Sequence, residues 1–128
     1  MDSEDNRRRT TLFKEMMAKL LAHSKAEAEV LYKPMKKSEE EETRAFALEG
    51  ENEHQHVERQ LKDMARAASK TTEPWTAKLT VLKELVEHHV KEEESTGFKS
   101  ARAEFDKAEL ERMGEKFQAL KEKEMAAA

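Results

Sequence analysis

The chain has 128 residues, which allows one small domain with a single core. It is 41% charged, 37% hydrophobic and only 5% aromatic, a helix-forming composition that predicts an all-α, up-and-down bundle. The absence of cysteine excludes disulfides, thiolate metal sites and cysteine nucleophiles, and a net charge of -4 with interleaved acids and bases gives no reason to expect nucleic acid or membrane as a partner.

The first helix is predicted over about residues 10–32, with Asp2, Ser3 and Asp5 as candidate caps ahead of it. Its apolar stripe is Phe13, Met16, Met17, Leu20, Leu21, Val30 and Leu31, and the stripe is interrupted by His23 and Glu27. Those two stand four residues apart, about 40° around a helix, and so project together into the buried face. Pro34 is expected to end the helix near Lys33. Arg7, Arg8 and Arg9 form the one compact basic run, read as an exposed helix start or an electrostatic contact.

After an acidic linker, the second helix is predicted over about residues 41–69, with Phe46, Ala47, His54, Val57, Glu58, Leu61, Met64 and Ala68 inward. A histidine and a carboxylate again stand at i and i+4, while His56 is expected to face water. Thr72 and Pro74 open the third helix, about residues 73–94, and Gly97 is its expected stop. Here Leu79, Leu82, Val86, His89 and Glu93 continue one stripe, with His88 at its edge and Glu94 as an alternative to Glu93. The last helix, about residues 106–125, aligns Leu110, Met113, Phe117 and Leu120 and has no histidine.

Taken singly, each His-x3-Glu pair reads as a hydrogen-bonded surface or core pair. Three successive helices that each bring one such pair to the buried face point instead to a shared metal site. Imidazole and carboxylate without thiolate suit iron or manganese and, less specifically, zinc, and bridging carboxylates allow two ions. The proposed ligands are His23, Glu27, His54, Glu58, His89 and Glu93, with Glu94 in reserve; Glu53, Glu29 and Tyr32 are candidates to orient the imidazoles or close the pocket.

Three segments, LLAHSKAEAEVLY, NEHQHVERQL and KELVEHHVKEEESTGF, give the chain a form that resembles the hemerythrin-like, HHE cation-binding domain family, from about Arg8 to Met125. The resemblance implies a four-helix bundle around a non-haem di-iron centre that binds or senses dioxygen or another small diatomic ligand, or stores iron. Members of the family usually begin with a further helix carrying an Asp-His pair, whereas this chain starts close to their second helix. Ala28 stands where the family has a second Glu, and Lys99 where a Pro often follows the aromatic residue.

An absent first helix leaves three resolutions open: the last helix folds into the gap, two chains form a homodimer, or the site is degenerate or holds one ion. The alternatives to an oxygen, iron or redox-stress binder are a helical interaction protein without metal, and peroxide or nitric oxide chemistry at a di-iron centre. No apolar run approaches the roughly 20 residues of a membrane span and no signal-peptide core is visible, so a cytoplasmic single domain over residues 1–128 is expected.

Overall fold

The computed structural model describes residues 4–127 and contains four helices. Helix α1 runs through Glu4–Glu27, a π-helical turn at Ala28–Tyr32 and a last turn at Lys33–Met35. Helix α2 is Glu41–Arg66. Helix α3 comprises Glu73–Glu92, a second π-helical turn at Glu93–Gly97 and Phe98–Glu104, and α4 is Lys107–Ala127. The caps expected of Asp2 and Ser3 lie outside the described residues, and Asp5 already sits in the first turn of α1.

Two expected helix ends are overrun. A proline in an α-helix removes one donor and presses its ring on the carbonyl four residues back. At Pro34 the strain is relieved by the π turn, where the Lys33 amide reaches back five residues to the Ala28 carbonyl. Helical bonding then resumes, with Lys36 N–H donating to the Tyr32 carbonyl at 2.8 Å. Gly97 likewise does not stop α3: its backbone is right-handed at φ -63°, and the Phe98 amide bonds back to Glu93. What requires glycine at 97 is packing, because the Phe46 ring occupies the space that a Cβ would need.

Thr72 caps α3 as expected, its hydroxyl accepting from the Trp75 amide at 3.3 Å. Helix α2 ends earlier than expected, at extended Ala67, which leaves Ala68 exposed. The basic run makes an electrostatic contact through one member: the Arg9 guanidinium donates to the Lys70 carbonyl at 2.9 Å and to Thr76 Oγ1 at 3.1 Å. Beside it, Asn6 Oδ1 accepts from the Lys70 amide at 2.7 Å, so the start of α1 is pinned to the α2–α3 connection.

Around the bundle the helices follow in the order α1, α2, α3, α4, with α4 against α1 and against the far part of α3. The last helix therefore takes the fourth corner, one of the three resolutions considered above. It does so loosely, since none of its described residues is buried. Lys25 Nζ pairs with Glu124 Oε1 at 3.0 Å along the α1–α4 seam. No helix among the described residues is long and apolar enough to cross a membrane.

The apolar interior has two parts. At one end Phe13, Val57, Leu61, Met64, Trp75 and Leu82 interlock, with the Trp75 indole N–H donating to the Met64 carbonyl at 3.1 Å. At the other end Tyr32, Met35, Phe46 and Ala47 pack together. Glu27, His54, His89 and Glu93 gather between these two clusters, against Tyr32 on one side and beside Val57 and Val86 on the other.

Candidate metal centre

Glu27 is the hub. It is buried on α1, and its Oε1 lies 2.9 Å from His54 Nε2 on α2 and 3.0 Å from His89 Nε2 on α3. Its other oxygen, Oε2, meets His23 Nε2 at 3.1 Å. Glu93, also buried, places Oε1 2.8 Å from His89 Nε2, and the two imidazole Nε2 atoms are 3.1 Å apart. One donor atom each from Glu27, His54, His89 and Glu93 falls within 4.8 Å of all the others.

These separations fit an ion. A metal with ligands at about 2.1 Å needs neighbouring donors about 3.0 Å apart in an octahedron and about 3.4 Å apart in a tetrahedron. The donor chemistry fits as well, since two carboxylates offset the charge of a divalent ion while two imidazoles complete the set. Behind the site, His89 Nδ1 is buried without a hydrogen bond, and Glu53 Oε1 stands 3.6 Å from it. At that distance the pair is a charge contact and not a hydrogen bond, and Glu53 is the carboxylate placed beside the ring nitrogen that faces away from the cluster.

Without an ion, protons perform the neutralisation. Burial alone would lower the His89 pKa, but hydrogen bonds to Glu27 and Glu93 push it up to about 10. Burial also works against the Glu27 carboxylate, yet hydrogen bonds from His23, His54 and His89 hold it well below the usual carboxylate range. Glu93 is pushed up to about 7, by burial first and by the adjacent Glu27 charge. The hydrogen bond to Glu27 raises His23. A cationic His89 between two carboxylates thus stands where a metal would bring its charge.

Five of the seven sequence-predicted ligands converge: Glu27, His54, His89 and Glu93 in the cluster, and His23 at its edge with its side chain 39% exposed. Glu58 does not; its side chain is 48% exposed and pairs with Lys62 at 3.0 Å. The buried face of α2, from Thr43 and Phe46 to Leu61 and Met64, centres about 80° from Glu58 but only about 60° from Glu53. The carboxylate that α2 contributes is therefore Glu53, one residue before His54. Glu94 is exposed, which leaves Glu93 as the α3 carboxylate. Glu29 is exposed near Lys33, whereas Tyr32 reaches the centre.

Two clefts approach the cluster at different heights along α4, one beside Lys121 and Met125 and the other beside Met113 and Phe117. One, of 540 Å³, is walled by Leu20, Val57, Val86 and Met125 and opens on His23, His54 and His89. The other, of 330 Å³, is walled by Val30, Leu31, Phe98, Met113 and Phe117 and reaches Glu27 and Glu93. The Phe117 ring meets His23 edge-on at 5.2 Å.

Searches of curated proteins and of solved structures return no match. Residues 1–101 match the family model described as Hemerythrin HHE cation binding domain, a span that takes in α1, α2, most of α3 and every residue of the cluster. On that match, the chain belongs to the hemerythrin HHE cation-binding domain family.

Proposed function

We propose that the protein is a non-haem iron-binding protein that responds to dioxygen, iron or redox stress, with iron held by Glu27, His54, His89 and Glu93. The observation that carries this reading is the convergence of four donor atoms from three helices within 4.8 Å, in a sequence that belongs to a cation-binding family. Iron is preferred because nitrogen and carboxylate donors without thiolate suit it. A second ion of a di-iron pair would draw on Glu27 Oε2 and His23, the donors remaining on that side, so it is expected to bind more weakly than the first.

When bound, iron supplies one-electron chemistry and an open coordination position for a small diatomic ligand. The residues provide the rest. Glu27 and Glu93 set the charge, Glu53 orients His89, and Leu20, Val57 and Val86 line an apolar approach suited to an uncharged gas.

Metal analysis and ferrous titration of the full chain purified from iron-supplemented cells test the reading. The expected result is one tightly held iron per chain, weakened at least tenfold in His89→Ala. A folded protein with no stoichiometric metal, and no affinity for added ferrous ion, would overturn it. That result would favour the second reading, a helical interaction protein, which draws on the hydrogen bonds that the cluster already makes within itself.

A further inference from the structure

We infer that Tyr32 is a further metal ligand, its phenolate oxygen binding ferric iron beside Glu27, His54, His89 and Glu93. The inference rests on the metal-centre reading above and adds to it a residue outside the His-x3-Glu pairs.

The hydroxyl of Tyr32 lies among all four donor atoms. It is 2.7 Å from Glu27 Oε1, 3.1 Å from His89 Nε2, 3.4 Å from Glu93 Oε1 and 3.5 Å from His54 Nε2. A buried phenol needs a single acceptor to be satisfied. Two carboxylates and two imidazoles around one hydroxyl exceed that need, and the same atoms are the ones that would bind the ion.

The backbone is shaped to bring it there. In a regular α-helix Tyr32 would point about 140° away from Glu27, five residues earlier. The π turn Ala28–Tyr32 inserts an extra residue into that turn and draws the two side chains toward one point. On the far side, Gly50 of α2 leaves room for the ring: a Cβ there would stand 2.5 Å from Tyr32 Cζ and 2.6 Å from its hydroxyl oxygen. The ring is fully buried and meets Phe46 edge-on at 6.0 Å. Its hydroxyl therefore has little freedom to leave the cluster.

Charge favours the ferric ion. Glu27, Glu93 and a Tyr32 phenolate bring three negative charges, which balance three positive ones, and a phenolate oxygen is a hard donor suited to the higher oxidation state. On binding, the phenolic O–H bond is replaced by an oxygen–iron bond and the proton passes to solvent. The iron must enter as ferric ion, or as ferrous ion oxidised by dioxygen.

Tyr32 is the one tyrosine in the chain, so its ligation has an unambiguous signature. The metal-free full chain is loaded with ferric nitrilotriacetate, iron is quantified, and absorption and resonance Raman spectra are recorded. The expected result is a visible phenolate-to-ferric charge-transfer band with enhanced phenol ring modes, both lost in a Tyr32→Phe variant that still binds iron. Bound iron in the wild type without that band would overturn the inference and leave the metal centre standing. No iron bound from the ferric chelate, nor from ferrous ion in air, would overturn both. Should Tyr32→Phe fail to fold, the wild-type band alone decides, because no other phenol is present.

Discussion

Replacing Glu27 by Gln in the metal-free protein tests the electrostatics of the cluster directly. The side chain keeps its shape but loses the charge that faces His89 Nε2 at 3.0 Å. His89 holds its proton up to about pH 10, against an ordinary value of 6.5. That difference corresponds to about 5 kcal/mol at ~1.4 kcal/mol per pH unit. Two carboxylates share it, so Glu27 accounts for about 2 kcal/mol, in line with the roughly 1.5–3 kcal/mol of one hydrogen bond to a charged group.

A histidine with a raised folded pKa stabilises fully below its unfolded pKa, 6.5, and loses that contribution as pH rises through about 10. Glu93, pushed up to about 7, acts in the same direction over a lower window, costing stability as pH rises from 4.5 through about 7. At about pH 6 it is mostly protonated and repels Glu27 little. Urea unfolding with a chelator present should therefore show wild type more stable than Glu27→Gln by about 2 kcal/mol at pH 6. The gap should close or reverse near pH 10.5, where Glu27 is a buried carboxylate without its cation. An equal gap at both pH values, or none at pH 6, would refute the reasoning.

Metal binding at pH 7 should release at least one proton, because His89 must give up the one it holds and Glu93 is about half protonated there. Calorimetry in buffers of different ionisation enthalpy measures this, and buffer-independent heats would contradict it. Glu53→Gln should weaken metal binding about 10–100-fold by freeing the His89 ring, while Glu58→Gln should leave it unchanged; equal effects in a competitive chelator assay would sink the assignment. Gly114→Ala, whose new Cβ meets nothing within 4 Å, should raise stability by about 0.5–1 kcal/mol, and Gly97→Ala should lower it by about 1–3 kcal/mol through the Phe46 ring. Thermal unfolding that ranks the two variants the other way would refute these packing assignments.

The stripes of α1 and α3 were legible because a period of 3.6 residues links a buried Leu or Val to a His and Glu further along the same face. That logic nominated His23, Glu27, His89 and Glu93 and preferred Glu93 to Glu94, and the structure brings them together. On α2 the same rule misled. The i+4 partner of His54 lies on the far flank of the buried face, and the useful carboxylate is its immediate neighbour Glu53. Spacing from one residue cannot say where the centre of a face lies; the contacts of the whole helix decide that.

Sequence alone determined the helical class, the histidine and carboxylate donor types and the segments that carry them, because those follow from composition, residue type and local period. Tertiary structure decided what local period cannot express. The two π turns at Ala28–Tyr32 and Glu93–Gly97 change the helical phase immediately after Glu27 and from Glu93 onward, and so carry the chain past Pro34 and Gly97. Placing Tyr32 at the centre needs the first of those turns and, on another helix, the space left by Gly50. The fourth corner was settled by α4 packing along α1, a contact between segments about a hundred residues apart.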